Sequence, residues 1–295
     1  MLDTIEQGKI NIKDLALEAP ERIDGKLPFD IFKELTSSDL NEIEKDLNNQ
    51  RFYDRESNGH LAFCLRLFKP DHHIKRLDDP TFKESFETAI DHYKGGVEHS
   101  GASWFMVSEL AVLFKGTFPG EKINITEEEK AKMISYMNGF DHTNSYLSVL
   151  KGVKAIDPGF NQNKLDINDL KKGWYDLHLR RYPTEDDNAF ESRMIYGRGM
   201  VAATAELAGL RLAFPDQQVT DILAPQFWNY AKTAFEIEKA IARQTADWNL
   251  LARFAVNIAI ATAPQLRITE SGIRAGRPEP ISKPNQQPLP LLRSF

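Results

Sequence analysis

The residues of this chain that could bind a metal ion or act as a nucleophile do not form a known motif. The seven histidines include no His-Glu-x-x-His sequence and no pair four residues apart. The densest cluster, Asp71, His72 and His73 with Asp78, follows a proline, where a solvated loop is expected rather than the fixed ligands of a zinc site. The single cysteine, Cys64, lies in an apolar run that predicts a buried, unreactive thiol. We therefore expect neither a metal nor a cofactor.

Two further segments contain residue types used in phosphate binding or catalysis. Residues 197–202 match the Gly-x-Gly-x-x-Ala pattern of dinucleotide sites, but that pattern must follow a strand and the preceding residues favour a helix. Glu98, His99 and Ser103 bring a carboxylate, an imidazole and a hydroxyl into one glycine-containing segment that is typical of a loop. An enzyme without a known motif would use these three residues, and the sequence leaves that alternative open.

The clearest pattern in the chain is a proline that ends an apolar helical segment and then recurs. Successive copies are 50, 49, 39, 57 and 49 residues apart, and three copies share leucines five and three positions before the proline. Proline cannot continue a helix and disfavours the helical conformation of the residue before it, so each copy marks a helix end. The repeat prolines are Pro20, Pro70, Pro119, Pro158, Pro215 and Pro264.

A second helix-start signal follows most of these prolines, so each interval is predicted to hold roughly two helices. Apolar residues recur every three or four positions, and Thr126 with Glu129 three residues later predicts a capping box. Strand patterns are almost absent. We therefore predict an all-α protein of about eleven or twelve helices between residues 10 and 263. The expected fold is an irregular α-solenoid or a multi-helix bundle built from helical pairs.

The repeat also carries a family resemblance. With units of about 49 residues that end in a Leu-x-x-Leu-Phe-Pro-like phrase, the chain resembles a bacterial class of α-helical repeat proteins. The resemblance covers residues 10–264 and implies a helical array with no assigned activity. The third and fourth units depart from the phrase and the spacing, which indicates an irregular array.

The end of the chain differs in composition from the rest. Five of the 15 prolines lie in the last 18 residues, a density that is incompatible with a helix or a central strand. We therefore divide the chain into a helical repeat domain, residues 1–275, and a Pro-rich tail, residues 276–295, that we expect to be disordered. The apolar end of the tail, with Leu291, Leu292 and Phe295, is a candidate partner motif or a C-terminal export signal.

A helical array creates an extended surface that can hold a peptide or a domain. Trp104 and Trp248 fall 15 and 16 residues before a repeat proline, which favours an equivalent packing role. The alternative is that they line a groove, because tryptophan is a frequent binding anchor. The polar neighbours that could face such a groove are Arg193, Tyr196, Arg198, Asp247 and Asn249.

Composition narrows the classes of protein that remain. A net charge of −6 argues against a general nucleic-acid binder, which has a basic footprint. The most apolar stretch, residues 250–266, is too short and too interrupted to predict a transmembrane segment. The first ten residues lack the features of a secretory signal peptide, so we expect a cytoplasmic protein, with export into a host cell as the alternative.

The failure of every catalytic pattern, together with the repeat, favours a non-enzymatic protein–protein interaction module, that is, a scaffold or adaptor. The partner would be another protein. Two alternatives stay open, a secreted bacterial effector that regulates a host small GTPase as an exchange factor does, and the enzyme without a known motif.

Overall fold

The structure is a computed structural model of the 295-residue chain. It describes residues 35–50, 55–96, 103–140, 143–162, 166–178, 198–216 and 225–276, together with positions 184, 186 and 189. The helices are α1 (Ser37–Asn49), α2 (Arg55–Phe68), α3 (Pro80–Gly96), α4 (Ser103–Thr117), α5 (Glu127–Asn138), α6 (Thr143–Ile156), α7 (Ile167–His178), α8 (Arg198–Ala213), α9 (Pro225–Thr245) and α10 (Asn249–Thr262). A short 3₁₀-helix (Lys75–Asp78) precedes α3, and two strands, β1 (Gln265–Thr269) and β2 (Gly272–Gly276), follow α10.

The even-numbered helices form an inner ring. Helix α2 packs on α4, α4 on α6, α6 on α8, α8 on α10, and α10 packs back on α2. Each odd-numbered helix forms an outer layer by packing on the even-numbered helix that follows it. The prediction of an all-α fold built from helical pairs is confirmed. Because the pairs close on themselves, the fold is a ring-shaped bundle and not an open solenoid.

The repeat prolines mark the ends of the inner helices, and those within the described part are Pro70, Pro119, Pro158, Pro215 and Pro264. The inner helices run parallel, because neighbouring starts and neighbouring ends meet. Arg253 near the start of α10 reaches Glu56 near the start of α2. At the other end, Arg211 of α8 donates to the carbonyl oxygen of Ala263, just beyond α10. Pro20 lies outside the described residues.

Polar contacts of α1 join the first helical pair to the last. Thr36 and Asp39 form a capping box at the start of α1, and Arg243 at the end of α9 donates two hydrogen bonds of 2.7 and 2.8 Å to the Asp39 carboxylate. Burial alone would raise the pKa of Asp39, but the hydrogen bonds from Arg243 and Thr36 lower it to about 2. Asp46 accepts the backbone N–H of Trp248, which caps α10, at 2.9 Å.

A hairpin of β1 and β2 is the one β-sheet in the described residues, which agrees with the expectation that strands are almost absent, although its position was not predicted. The two strands are antiparallel, with Leu266 opposite Ala275 and Ile268 opposite Ile273, so apolar side chains alternate along each strand. The hairpin follows α10 in the chain and contacts α4 and α6. These two inner helices lie across the ring from α10, whose own neighbours are α2 and α8. The hairpin therefore crosses the end of the ring where the inner helices finish.

One apolar core runs through both layers of the ring. Between α3 and α4 it contains edge-on phenylalanine contacts, including Phe86 with Phe114 and Phe118 at centroid distances of 6.4 and 5.8 Å. Trp174 of α7 is fully buried, and its indole N–H donates to the carbonyl oxygen of Ala203 at 3.0 Å. This packing holds the inner helices at fixed positions.

The closest approach of two inner helices gives the first prediction. A Cβ atom added to Gly152 of α6 would lie 2.4 Å from the Cα of Ser108 in α4, so the two helices would have to separate. We expect Gly152→Ala to lower the free energy of unfolding by about 1–3 kcal/mol. Urea denaturation at pH 7 measures this loss.

Gly95 provides the matched control, because a Cβ at this position of α3 would meet nothing within 4 Å. Alanine favours a helix over glycine by up to about 1 kcal/mol, so Gly95→Ala should be neutral or stabilising. Equal stability of the two variants would contradict the close approach of α4 and α6.

Candidate functional site

A cavity of about 500 Å³ opens at the end of the ring where the inner helices begin. We call it the mouth cavity. Its walls are the first turns of α2, α8 and α10, and its polar lining residues are Glu56, Ser57, His60, Asp247, Asn249 and Arg253. Helices that begin together direct their positive dipole ends to the same place, which here also holds the carboxylates of Glu56 and Asp247.

A buried carboxylate lies next to the mouth cavity. The Glu109 side chain of α4 is 11% exposed and contacts His60 Nε2 through Oε1 at 3.1 Å and Lys151 Nζ through Oε2. Burial alone would raise the pKa of Glu109, but the Lys151 ammonium, with His60 and Arg253 adding to its effect, holds that pKa well below its usual range. Glu109 is therefore ionised near neutral pH.

Both ring nitrogens of His60 have partners. Nδ1 lies 2.8 Å from the backbone carbonyl oxygen of Glu56, and Nε2 faces the Glu109 carboxylate. Since a carbonyl oxygen only accepts hydrogen bonds, Nδ1 carries a proton. This bond fixes the plane of the ring and directs Nε2 at Glu109.

Glu56 and Arg253 form an ion pair at the rim, with Arg253 Nη1 2.7 Å from Glu56 Oε1 and about a third of each side chain exposed. Two other polar atoms of the cavity wall, Arg253 Nε and Asn249 Oδ1, are shielded from water and make no hydrogen bond within the described residues. Asn249 Nδ2 donates to Asp247 Oδ1 at 3.0 Å. The wall thus holds one donor and one acceptor that are unsatisfied.

The charged groups of this site were not predicted from the sequence, although the repeat contains a signal for them. His60 and Glu109 each lie ten residues before the repeat proline of their unit. In their own units, Arg253 lies eleven residues and Lys151 seven residues before the repeat proline. Positions three or four residues apart share one helix face, so these side chains point to the same side of their helices. Aligning the units at their prolines would have grouped them.

The residues predicted to bind a partner fall into different places. Asp247 and Asn249 line the mouth cavity, and Arg198 is the first residue of α8, whose first turn forms one wall. Trp104 and Trp248 are 3% and 2% exposed and lie in the core, so neither ring faces a groove. The other predicted residues, Arg193, Tyr196, Leu291, Leu292 and Phe295, lie outside the described part of the chain.

The remaining candidate residues from the sequence do not come together. His72 pairs with Glu44 at 2.7 Å, whereas His73 pairs with Asp78 at 2.9 Å. The Cys64 thiol is fully buried, which raises its pKa.

Two predicted segments are only partly described. Residues 198–202 belong to α8, so the part of the Gly-x-Gly-x-x-Ala segment that the structure describes is helical. Ser103 begins α4, while Glu98 and His99 lie outside the described residues.

Two general findings complete the description of the site. In the part of the chain that the structure describes, none of the helices is both long and apolar enough to cross a bilayer. No family model, curated protein or solved structure matches this chain.

The buried ion pair of Glu109 and Lys151 gives the second prediction. We expect Glu109→Gln to lower the free energy of unfolding at pH 7 by about 3–5 kcal/mol, because it leaves the Lys151 ammonium buried without its counter-charge. The lowered pKa means that this stabilisation is complete above the ordinary range of a glutamate and is lost as the pH falls through the lowered value. The difference between wild type and variant should therefore shrink in strong acid.

Two comparisons separate this effect from a general loss of charge. Adding Lys151→Met to Glu109→Gln removes the unpaired cation and should recover a large part of the lost stability. Glu128→Gln removes an exposed pair with Lys132 and should cost less than about 1 kcal/mol. If Glu128→Gln costs as much as Glu109→Gln, the buried network does not stabilise the ring.

Proposed function

We propose that this protein is a binding module that holds a polar segment of another protein in its mouth cavity. The observation that carries the proposal is the pair of unsatisfied atoms in the cavity wall, Arg253 Nε and Asn249 Oδ1. The two residues lie one helical turn apart on α10 and offer a donor and an acceptor on one face. A peptide group, with its carbonyl oxygen and its N–H, complements such a pair once the side chains turn toward it.

The free-energy cost of leaving these two atoms without hydrogen bonds favours the binding of a partner. Each buried polar atom without a hydrogen bond costs about 1–3 kcal/mol, so a partner group that bonds to both atoms would recover this cost for each of them. The partly exposed charges of Glu56 and Arg253 at the rim then select the charge pattern of the partner.

The rest of the described surface also supports polar recognition. Among large apolar side chains in the described residues, only Leu177, at 39%, counts as exposed, so no broad apolar face is available there. Closure of the ring removes the open concave surface that a solenoid would offer. A loop or a chain end that enters a cavity of about 500 Å³ fits this shape better than a long peptide does.

Site-specific crosslinking tests the proposal. A photoreactive amino acid replaces Ala202, an exposed residue of the cavity wall, and the protein is irradiated in a lysate of its source cells. The matched control places the same group at Thr88, an exposed position of α3 in the outer layer. We expect a protein adduct from position 202 that position 88 does not give.

Variants of the cavity wall make the test specific. In the Ala202 background, Arg253→Ala should reduce the adduct roughly five- to thirty-fold, the range of a hot-spot residue worth 1–2 kcal/mol. Lys45→Ala, which removes an exposed cation of α1, should leave the adduct unchanged. The proposal would be contradicted if position 202 gave no adduct, or if Arg253→Ala did not change the adduct yield. If the crosslinked protein were a small GTPase, the result would favour the alternative that this protein regulates a GTPase.

A further inference from the structure

We propose that Glu56, His60 and Glu109 form a binding site for a divalent transition-metal ion at the floor of the mouth cavity. One ligand atom from each residue lies within 4.8 Å of the other two. Glu56 and His60 line the cavity, which gives an ion and its water ligands a path of entry. The proposal goes beyond the proposed function, because it concerns the isolated chain and needs no partner protein.

The distance between His60 Nε2 and Glu109 Oε1 fits two ligands of one ion. Bonds of about 2.0–2.2 Å that meet at tetrahedral or octahedral angles separate neighbouring ligand atoms by about 2.8–3.6 Å. The observed separation is 3.1 Å. Glu56 completes the set by a small rotation inward, which is open to a side chain that is one-third exposed.

The surroundings hold each ligand in the form that binds a metal. The Nδ1–H of His60 donates to the Glu56 carbonyl oxygen, the arrangement that orients a ligating imidazole and leaves Nε2 for the ion. Lys151 engages Oε2 of Glu109, so Oε1 faces His60. Arg253 engages Oε1 of Glu56, so Oε2 is the oxygen that rotation brings inward.

Binding of the ion would replace the hydrogen-bond contact between Nε2 of His60 and Oε1 of Glu109, because an imidazole binds a metal through an unprotonated nitrogen. Lys151 and Arg253 continue to share the two carboxylates, so the affinity should be moderate.

One imidazole and two carboxylates, with the remaining position open to the cavity, match the ligand set of a zinc ion that keeps a water molecule. We therefore use Zn²⁺ as the probe in calorimetry and Co²⁺ as a spectroscopic substitute. The expected result is one ion per chain with a dissociation constant in the micromolar range. Bound Co²⁺ should show the visible absorption of a four- or five-coordinate site.

Glu56→Gln is the deciding variant, because Glu56 is partly exposed and glutamine keeps the hydrogen bond to Arg253 while being a poor ligand. It should weaken Zn²⁺ binding at least tenfold, and His60→Asn should abolish it in protein shown by its melting curve to be folded. Glu206→Gln is the matched control, since Glu206 and His178 also form a partly buried pair, at 2.8 Å, that is not part of the three-ligand group.

Three outcomes would overturn the proposal. The first is the absence of Zn²⁺ binding, which would leave the contact between His60 and Glu109 as a structural pair only. The second is binding that survives Glu56→Gln unchanged and therefore arises at surface histidines. The third is an equal loss of binding in Glu56→Gln and Glu206→Gln.

Discussion

Closure of the ring is the constraint on which the rest of the structure depends. Helix α10 packs on α2, and three polar contacts accompany this seam, between Asp39 and Arg243, between Asp46 and the Trp248 amide, and between Glu56 and Arg253. Each contact joins residues about 200 positions apart in the chain. Because the entropy of closing a loop grows only slowly with its length, a few well-formed contacts suffice once the intervening pairs are stacked. The mouth cavity exists only because the first and last helical pairs meet.

The buried charges next to the cavity set the positions of the inner helices along one another. Apolar packing and the close approach at Gly152 hold the parallel inner helices together, and the buried charges add a second constraint on their alignment. Pairing Glu109 with both His60 and Lys151 fixes α2, α4 and α6 in a single alignment. A buried ion pair contributes little net stability compared with apolar packing, but breaking it is costly, so it disfavours the shifted alternatives.

The sequence predicts the helices well because their signals are local. The prolines mark the ends of the inner helices, and the Thr126–Glu129 capping box at the start of α5 is present as predicted. Closure of the ring could not be predicted in the same way. It depends on the sum of the angles between neighbouring helical pairs, and no local sequence pattern determines that sum. The hairpin is not predicted from the sequence for another reason. Each strand has only five residues, so the alternation of apolar residues is short, and the second strand is followed directly by the Pro-rich segment.

The candidate site could have been recognised from one feature that the sequence analysis used only to exclude a membrane span. Arg253 interrupts the most apolar stretch of the chain. On a helix buried on nearly every side, an arginine is retained only where a counter-charge or a ligand meets it. The counter-charge, Glu56, lies almost the whole length of the described chain away, so it is found only once the ring is closed.

The proposed ion and the proposed partner would meet at the same place in the mouth. Arg253 and Lys151 already face the carboxylates of Glu56 and Glu109. An ion held by Glu56, His60 and Glu109 would add positive charge beside them, at the place where the positive ends of the helix dipoles also converge. The ion-bound form would therefore favour, more than the ion-free form does, a partner segment that brings an acidic side chain to the ion's open position. The same few residues would then both hold the ion and select the segment of a partner that enters the ring.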